Sequence, residues 1–194
     1  MDVVYYSEAL QGTLKMAERL GTKSIIIIDC PPKEFAQLQR STAIHIMRAV
    51  SCTAATLSRS RKDEWYIGSP EKGCTEHPRV IALIGGETLE RKDKLHQKNS
   101  GLNMVLAAAA VRQGKALLLD ASVLSLDSRS RILGRLFQNA MLARKAKLPI
   151  LVVSGARHPF QMRSPQELKC LAQYLGIPPK LPQEAQRALT QRFA

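Results

Sequence analysis

The sequence predicts an α/β fold in which parallel strands alternate with helices. Several short runs are continuously apolar, which is typical of strands buried on both faces of a sheet. Segments with apolar residues at helical spacing separate these runs, and glycine or proline follows most of the elements. Six strands are predicted in this way: Asp2–Tyr6, Ser24–Asp29, Ala43–Val50, Val80–Ile84, Ala116–Asp120 and Leu148–Val153. This alternation indicates a parallel sheet, and the periodicity leaves a closed barrel and an open doubly wound sheet equally possible.

The predicted helices have recognisable start and end signals. Ser7 is a candidate N-cap for a helix that ends at Gly21, and Ser100 is one for a helix over Gly101–Gln113. Ser164 to Glu167 forms a capping box with proline at the first helical position. Three further helices are expected, over Lys33–Arg40, Arg129–Lys147 and Pro182–Arg192.

Apolar residues at helical spacing predict a buried face on several helices, including the helices over Gly101–Gln113 and Arg129–Lys147. The face of the first is Leu102, Val105, Leu106 and Ala109. The face of the second is Ile132, Leu133, Leu136, Phe137, Ala140 and Met141, with Arg131, Arg135 and Lys145 on the outer side.

Two segments do not follow this rhythm. Residues 51–78 are polar, and we expect irregular structure there with one short strand at Trp65–Ile67. Glu87–Asn99 is a charged loop that is too polar to belong to the core. The length of 194 residues predicts a single domain over residues 1–194.

The positive charge is concentrated in the second half of the chain. The formal net charge is +13, and the segment Lys94–Lys180 has 14 Lys and Arg against 3 Asp and Glu. Residues 1–93 are nearly neutral, with 13 Lys and Arg against 12 Asp and Glu. A folded unit with charge so unevenly distributed is typical of proteins that bind a polyanion such as RNA or DNA. A solvated basic surface without a ligand is the alternative.

The composition favours a cytoplasmic protein. No apolar run approaches the roughly 20 residues of a membrane helix, and the N-terminus has no signal-peptide pattern. The four cysteines lie far apart without a Cys-x-x-Cys pair, so we expect reduced thiols.

The sequence contains no complete catalytic motif. A P-loop and a Gly-x-Gly-x-x-Gly loop are both missing, and Ser154 does not lie in a nucleophile elbow. Asp29 and Asp120 each end a predicted strand and could face each other as metal ligands, as in a metal-dependent phosphoesterase. The four histidines show no ligand spacing that would support such a site, so we expect no catalytic and no metal-binding residue.

The loop Ser154–Arg163 has a composition suited to RNA. It places Arg157, His158, Phe160 and Arg163 between a buried strand and a capped helix. Guanidinium groups can pair with phosphate oxygens, and Phe or His can stack on an unpaired base. The alternative is a solvated loop with Phe160 packed in the core. Arg129 and Arg131 begin a helix and are further candidates for RNA contacts, or else part of a solvated helix face.

The order of elements resembles a known family. The resemblance rests on the segments ALLLDASVLSLDSRSRILGRLFQNAMLARKAK, LPILVVSGA and MRSPQELKCLAQYLGIPP, together with the helix GLNMVLAAAAVRQGKA. They resemble the thirty-kilodalton protein subunit of archaeal and eukaryotic ribonuclease P, called ribonuclease P protein component 3 in archaea. The resemblance covers about residues 79–180 well and the first 50 loosely, and residues 51–78 depart from it.

The resemblance implies a fold, a function and partners. The implied fold is a compact, imperfect TIM-like (β/α) barrel in one domain. The implied function is that of a protein subunit of ribonuclease P, an endoribonuclease that removes the 5′ leader of precursor tRNA. In that ribonucleoprotein the RNA subunit holds Mg²⁺ and carries out catalysis, and the protein subunits bind and order the RNA. The implied partners are the ribonuclease P RNA, a small RRM-like subunit in a heterotetramer, other ribonuclease P proteins and precursor tRNA, with no membrane.

The resemblance also points to individual RNA contacts. Matching basic positions are Lys98, Arg112 and Arg163. Together with Arg129, Arg131, Arg157 and His158 they are the predicted RNA-binding residues. A metal-dependent phosphoesterase of similar barrel fold and a basic small-molecule-binding domain remain as alternative functions.

Overall fold

Seven parallel strands form one sheet in which the spatial order is the sequence order. The computed structural model describes residues 1–85, 93, 98–125 and 129–193, and most of the predicted charged loop Glu87–Asn99 lies outside these ranges. The strands are β1 Asp2–Tyr5, β2 Ser24–Ile28, β3 His45–Cys52, β4 Tyr66–Gly68, β5 Val80–Leu83, β6 Ala116–Asp120 and β7 Ile150–Val153. The helices are α1 Leu10–Arg19, α2 Pro32–Ser41, α3 Lys72–Glu76, α4 Met104–Arg112, α5 Arg129–Ala146, α6 Pro165–Tyr174 and α7 Lys180–Phe193.

The sheet curls until its two edges meet. The Tyr5 amide donates to the Ala156 carbonyl at 2.9 Å, and the Gly155 amide donates to the Val3 carbonyl at 3.0 Å. One carboxylate oxygen of Asp2 accepts from the amides of both Val3 and Ser154, each at 2.7 Å. The seam between β1 and the residues after β7 is therefore bridged, and the predicted TIM-like barrel is confirmed over the open-sheet alternative.

Strand alternation sorts the apolar side chains into an interior and two outer layers. Val3, Ile26, Ile28, Leu118 and Val153 belong to the cluster inside the barrel. Their neighbours along the strands point outward, where α1 and α2 cover β1 to β3, and α3 to α6 cover the other strands. The last helix, α7, adds Ala185 and Leu189 to the interior cluster. Its Arg192 reaches the Gln113 carbonyl just before β6, so α7 packs at the amino end of the barrel.

The segment 51–78 is more regular than the sequence predicts. It contains β4 at Tyr66–Gly68, close to the short strand expected at Trp65–Ile67, and the helix α3 at Lys72–Glu76. These two elements form a complete strand–helix unit of the barrel, and β4 is one of the seven strands of the sheet. The helix has only 5 residues, too few for an apolar period to stand out in the sequence.

Two predicted N-caps are wrong. Ser7 does not cap α1, because its hydroxyl donates to the Arg157 carbonyl at 2.6 Å across the barrel seam. Ser100 is buried and accepts a hydrogen bond from the Gln138 amide group at 3.1 Å. Asn103 is the residue that caps α4, with its side-chain oxygen accepting from the Leu106 amide at 2.9 Å. The helix α4 therefore begins three residues later than predicted.

The predicted faces of α4 and α5 also need correction. Val105 was expected inside but is 76% exposed, and Phe137 and Met141 are 37% and 38% exposed. Arg135, which is predicted on the outer side of α5, is buried. Asn139 on the same helix is buried as well. The buried face of α5 thus includes two polar residues, because each has a partner that the helical period does not reveal. No described helix is long and apolar enough to cross a membrane.

Candidate nucleic-acid interface

The loop after β7 is the centre of the candidate interface. It begins at Ser154, whose hydroxyl accepts from the Arg163 amide at 3.0 Å and so ties the two ends of the loop together. Gly155 has a φ of 59° and faces the Asp120 carboxylate. A Cβ at this position would lie 1.8 Å from an Asp120 oxygen, so only glycine fits. The loop is therefore anchored to the carboxyl ends of both β6 and β7.

Arg157 lies over the mouth of the barrel. Its guanidinium carbon is 3.8 Å from the centroid of the Tyr5 ring, a cation–π contact at the end of β1. The Arg157 side chain is otherwise exposed to solvent. Burial, and next the charge of Asp120, raise the pKa of Tyr5 to about 12, so the phenol stays neutral beneath the guanidinium. The exposed side of the Arg157 guanidinium is open to a ligand.

His158 and Phe160 lie at a short 3-10 helix, Pro159–Gln161, in which His158 is the N-cap. The two rings have centroids 5.2 Å apart with an interplanar angle of 37°. Phe160 is 82% exposed, so the alternative in which it packs into the core is wrong. Both rings are presented to solvent on the same loop as Arg157 and Arg163.

Arg163 and Arg129 line the same cleft. The cleft has a volume of about 380 Å³ and lies between the segment after β6 and the start of α6. The predicted capping box is confirmed there, with the Ser164 amide donating to Glu167 at 2.7 Å and the Glu167 amide donating to the Ser164 hydroxyl at 3.2 Å. The hydrogen bond from the Ser164 amide is the first cause that lowers the pKa of Glu167, and the Ser164 side chain adds to it, so the carboxylate is ionised but engaged in the cap. Two guanidiniums against one carboxylate leave the cleft positive.

Lys98 and Arg131 lie along α5. The backbone of Lys98 exchanges two hydrogen bonds with the Gln138 side chain, at 2.8 and 2.6 Å, and its ammonium is 3.8 Å from Asp93. Its side-chain carbon packs over Gly134, one helical turn from Arg131 on the same side of the helix. Both Lys98 and Arg131 are exposed.

Arg112 stands apart from the other predicted residues. It is exposed at the carboxyl end of α4, and α4 begins on the side where β5 ends. The length of the helix therefore separates Arg112 from the loops after β6 and β7. The structure brings Arg129 and Arg163 together, places Arg157 and His158 on the adjoining loop, and leaves Arg112 on a different part of the surface.

Arg135 is the arginine that sequence reasoning placed wrongly. Its guanidinium is buried and forms a salt bridge of 3.0 Å with Asp93, which also accepts from the Asn99 amide at 2.7 Å. That amide hydrogen bond and the Arg135 partner lower the pKa of Asp93. Arg135 therefore holds Asp93 against α5. The partner lies 42 residues away in sequence, so no local signal could have revealed it.

Asp29 and Asp120 both lie at the carboxyl ends of strands, as predicted. Asp29 accepts from the Ser51 amide at 2.7 Å, and Asp120 accepts from the Ser122 amide at 2.8 Å. Asp29 thus links the end of β2 to β3, and Asp120 fixes the turn that follows β6. Among the described residues no group of three or more His, Cys, Asp and Glu could hold a metal ion.

Three curated archaeal proteins match part of the chain. It is 40% identical over 109 residues to Ribonuclease P protein component 3 of Methanosarcina acetivorans, and 39% identical over 110 residues to that of Methanosarcina mazei. The protein of the same name from Methanosarcina barkeri is 37% identical over 110 residues. Over the matched residues, this chain is similar to Ribonuclease P protein component 3. The resemblance predicted from the sequence is therefore confirmed.

The match has a defined extent. It covers 55% of this chain and 42% of each of these relatives, so the matched part is less than half of their length. No family model matches the chain. A chain in the cryo-EM structure of archaeal ribonuclease P with mature tRNA superposes with a TM-score of 0.74 at 16% identity. That superposition covers 98% of this chain and 88% of the other, and it supports the barrel fold.

Proposed function

We propose that this protein is an RNA-binding subunit of ribonuclease P. The observation that carries the proposal is the 40% identity over 109 residues to Ribonuclease P protein component 3. The basic loop and cleft after β6 and β7 agree with it, because Arg129, Arg157 and Arg163 offer guanidiniums to a phosphate backbone. Lys98, Arg112, Arg131 and His158 would add further contacts to the RNA.

In this proposal the protein contributes binding and order rather than bond cleavage. The RNA subunit, with Mg²⁺, would cleave the 5′ leader from precursor tRNA, and this chain would hold the RNA in shape together with the small RRM-like subunit and the other proteins. A heterotetramer with the small subunit is the assembly we expect, in the cytoplasm. The chain would then take part in an endonuclease without supplying a catalytic residue.

A metal-dependent phosphoesterase is the competing function. It would use Asp29 and Asp120 as ligands, yet both carboxylates already accept backbone amides. Burial also raises the pKa of Asp120, which disfavours the ionised form that a metal requires. These observations favour the RNA-binding subunit.

The test is RNA affinity measured at several salt concentrations. The probe is the ribonuclease P RNA of the source organism, with wild type, Arg163→Ala and Arg129→Ala compared. Each variant removes one phosphate contact, so we expect weaker binding and a log–log salt slope shallower by about one. Arg163→Lys should recover only part of the affinity, because lysine lacks the planar fork.

The matched control is Arg187→Ala, which removes an exposed charge from α7 at the amino end of the barrel. It should leave the affinity and the salt slope almost unchanged. Wild-type affinity in both cleft variants, or an RNA-free preparation that cleaves precursor tRNA and loses this activity in Asp29→Ala, would overturn the proposal.

A further inference from the structure

Phe160 is the most exposed large hydrophobic side chain in the described part of the chain, with 82% of its surface accessible. It lies beside the exposed ring of His158, at a centroid distance of 5.2 Å. A solvent-exposed phenyl ring gains nothing for the fold from burial. The two rings, tilted by 37° to each other, form a small aromatic surface next to the barrel mouth.

The exposure of Phe160 does not come from a loosely held loop. The Arg157 amide donates to the Gln161 side chain at 2.8 Å, and the Gln161 amide donates to the His158 carbonyl at 2.9 Å. On one side the Pro159 ring packs against α1 at Gly12, where a Cβ would lie 3.0 Å away. On the other side Met162 is buried in the outer core. The backbone under the two rings is fixed on both sides, so the aromatic surface is preorganised.

The segment that holds the two rings is basic. Arg157 precedes His158, and Arg163 follows Phe160 by three residues. No Asp or Glu occurs between Ser154 and Gln166. An apolar ring within a positive surface is complementary to a nucleotide, which joins a flat base to a negative phosphate. The charge therefore favours RNA over an apolar protein segment as the occupant.

We propose that Phe160 and His158 form a stacking platform for an unpaired base of the bound RNA. The inference rests on the proposed function and specifies the part of the RNA that is bound. A base within a duplex has both faces covered by its neighbours, whereas a base in a loop, a bulge or a single strand can offer one face to an aromatic ring. Arg157 and Arg163 then hold the adjoining phosphates. The platform recognises a single-stranded nucleotide without strict preference for its identity, because every base has a π face.

The experiment compares single-stranded and double-stranded RNA of equal length. The probes are a 2-aminopurine-labelled oligoribonucleotide of about 12 residues, a length within the site sizes typical of single-strand binding proteins, and the same strand in a blunt duplex. The variants are Phe160→Leu, which keeps apolar bulk without a π face, and Phe160→Trp, which keeps the ring. Tyr174→Leu is the control, since Tyr174 is an exposed aromatic on α6 with 64% of its surface accessible.

We expect Phe160→Leu to bind the single strand roughly 5- to 140-fold more weakly, the range found for loss of one base–aromatic stack. Duplex affinity, the salt slope and the melting temperature should stay at wild-type values. The fluorescence of 2-aminopurine should be quenched on binding to wild type and Phe160→Trp, and less so with Phe160→Leu. Tyr174→Leu should behave as wild type.

Three results would overturn the platform. The first is wild-type affinity of Phe160→Leu for the single strand. The second is an equal loss for single strand and duplex. The third is normal RNA binding of Phe160→Leu together with loss of a protein subunit from the purified complex, which would make this surface a protein contact. Failure of the proposed function looks different, because wild type itself would then bind neither RNA with a salt-dependent affinity.

Discussion

Gly155 shows how much of the interface depends on one residue. It combines a φ of 59° with a position directly against the Asp120 carboxylate. A side chain here would force Asp120 away from the Ser122 amide or push the loop off the end of β7. The position of Arg157 therefore depends on the absence of a Cβ two residues earlier.

Gly155→Ala should be more destabilising than its backbone conformation alone explains. Alanine at positive φ costs about 1–2 kcal/mol, and contact with Asp120 adds to that. Gly21→Ala is the matched control, because Gly21 has a φ of 77° and a Cβ there would meet nothing within 4 Å. Urea denaturation of both variants isolates the clash with Asp120 as the difference between the two losses. Equal losses would mean that the loop moves aside at no cost.

Residue roles could be predicted from the sequence where the signal is local. The capping box at Ser164 and Glu167 needs only four adjacent residues, and the structure confirms it. The burial of Arg135 depends on Asp93, and the burial of Ser100 depends on Gln138 across two elements. Phe160 could be identified as a candidate, but only the fold could show which side of the loop it faces. Sequence periodicity does not reveal side-chain partners that lie far apart in the chain.

At the scale of elements, α5 is the helix whose face the sequence predicts only in part. Ile132, Leu136 and Ala140 are buried as predicted, since their spacing follows the helical period. The face is rotated toward Asn139 and Ala143, because the Asn139 amide group donates to the Ser100 carbonyl at 3.1 Å. Asn139 therefore lies in the core beside its buried partner Ser100, whereas Phe137, which its hydrophobicity predicts to be in the core, is partly exposed.

Leu136→Ala should therefore destabilise the fold more than Phe137→Ala. Leu136 is 1% exposed, and its truncation costs about 2–5 kcal/mol from lost transfer energy and a cavity. Phe137 is 37% exposed and makes an edge contact with Tyr174 at 5.3 Å, so we expect less than half of that loss. The free energy of unfolding in urea measures both. A Phe137→Ala variant as unstable as Leu136→Ala would show that this ring is buried in solution.

At the scale of the whole molecule, the barrel depends on the seam between its first and last strands. Two backbone hydrogen bonds cross the seam directly, from Tyr5 to Ala156 and from Gly155 to Val3. Asp2 reinforces them through its bridge to the Val3 and Ser154 amides. The arginine-bearing loop begins at this same seam, so barrel closure and the candidate interface share their anchoring contacts.

The Asp2 carboxyl should make the stability of the barrel depend on pH. Burial raises the pKa of Asp2 above its usual value of 3.8, so the folded state holds the proton more tightly than the unfolded chain. The resulting stabilisation is fully present below the unfolded pKa and is lost as pH rises through the folded pKa. Asp2→Asn keeps the acceptor oxygen but cannot titrate. As pH rises from about 4 toward neutrality, wild type should therefore lose stability relative to Asp2→Asn. The difference between their free energies of unfolding measures this loss.

Asp2→Ala tests the hydrogen bonds that Asp2 accepts across the seam separately from the titration of its carboxyl group. Alanine removes the acceptor for the buried Ser154 amide, and an unsatisfied buried amide costs about 1–3 kcal/mol. We expect Asp2→Ala to be less stable than Asp2→Asn at every pH, with the same absence of titration. Weaker RNA binding should accompany it, because the loop with Arg157 and Arg163 starts at Ser154. Equal stability of the two variants would show that the two backbone hydrogen bonds close the barrel without Asp2.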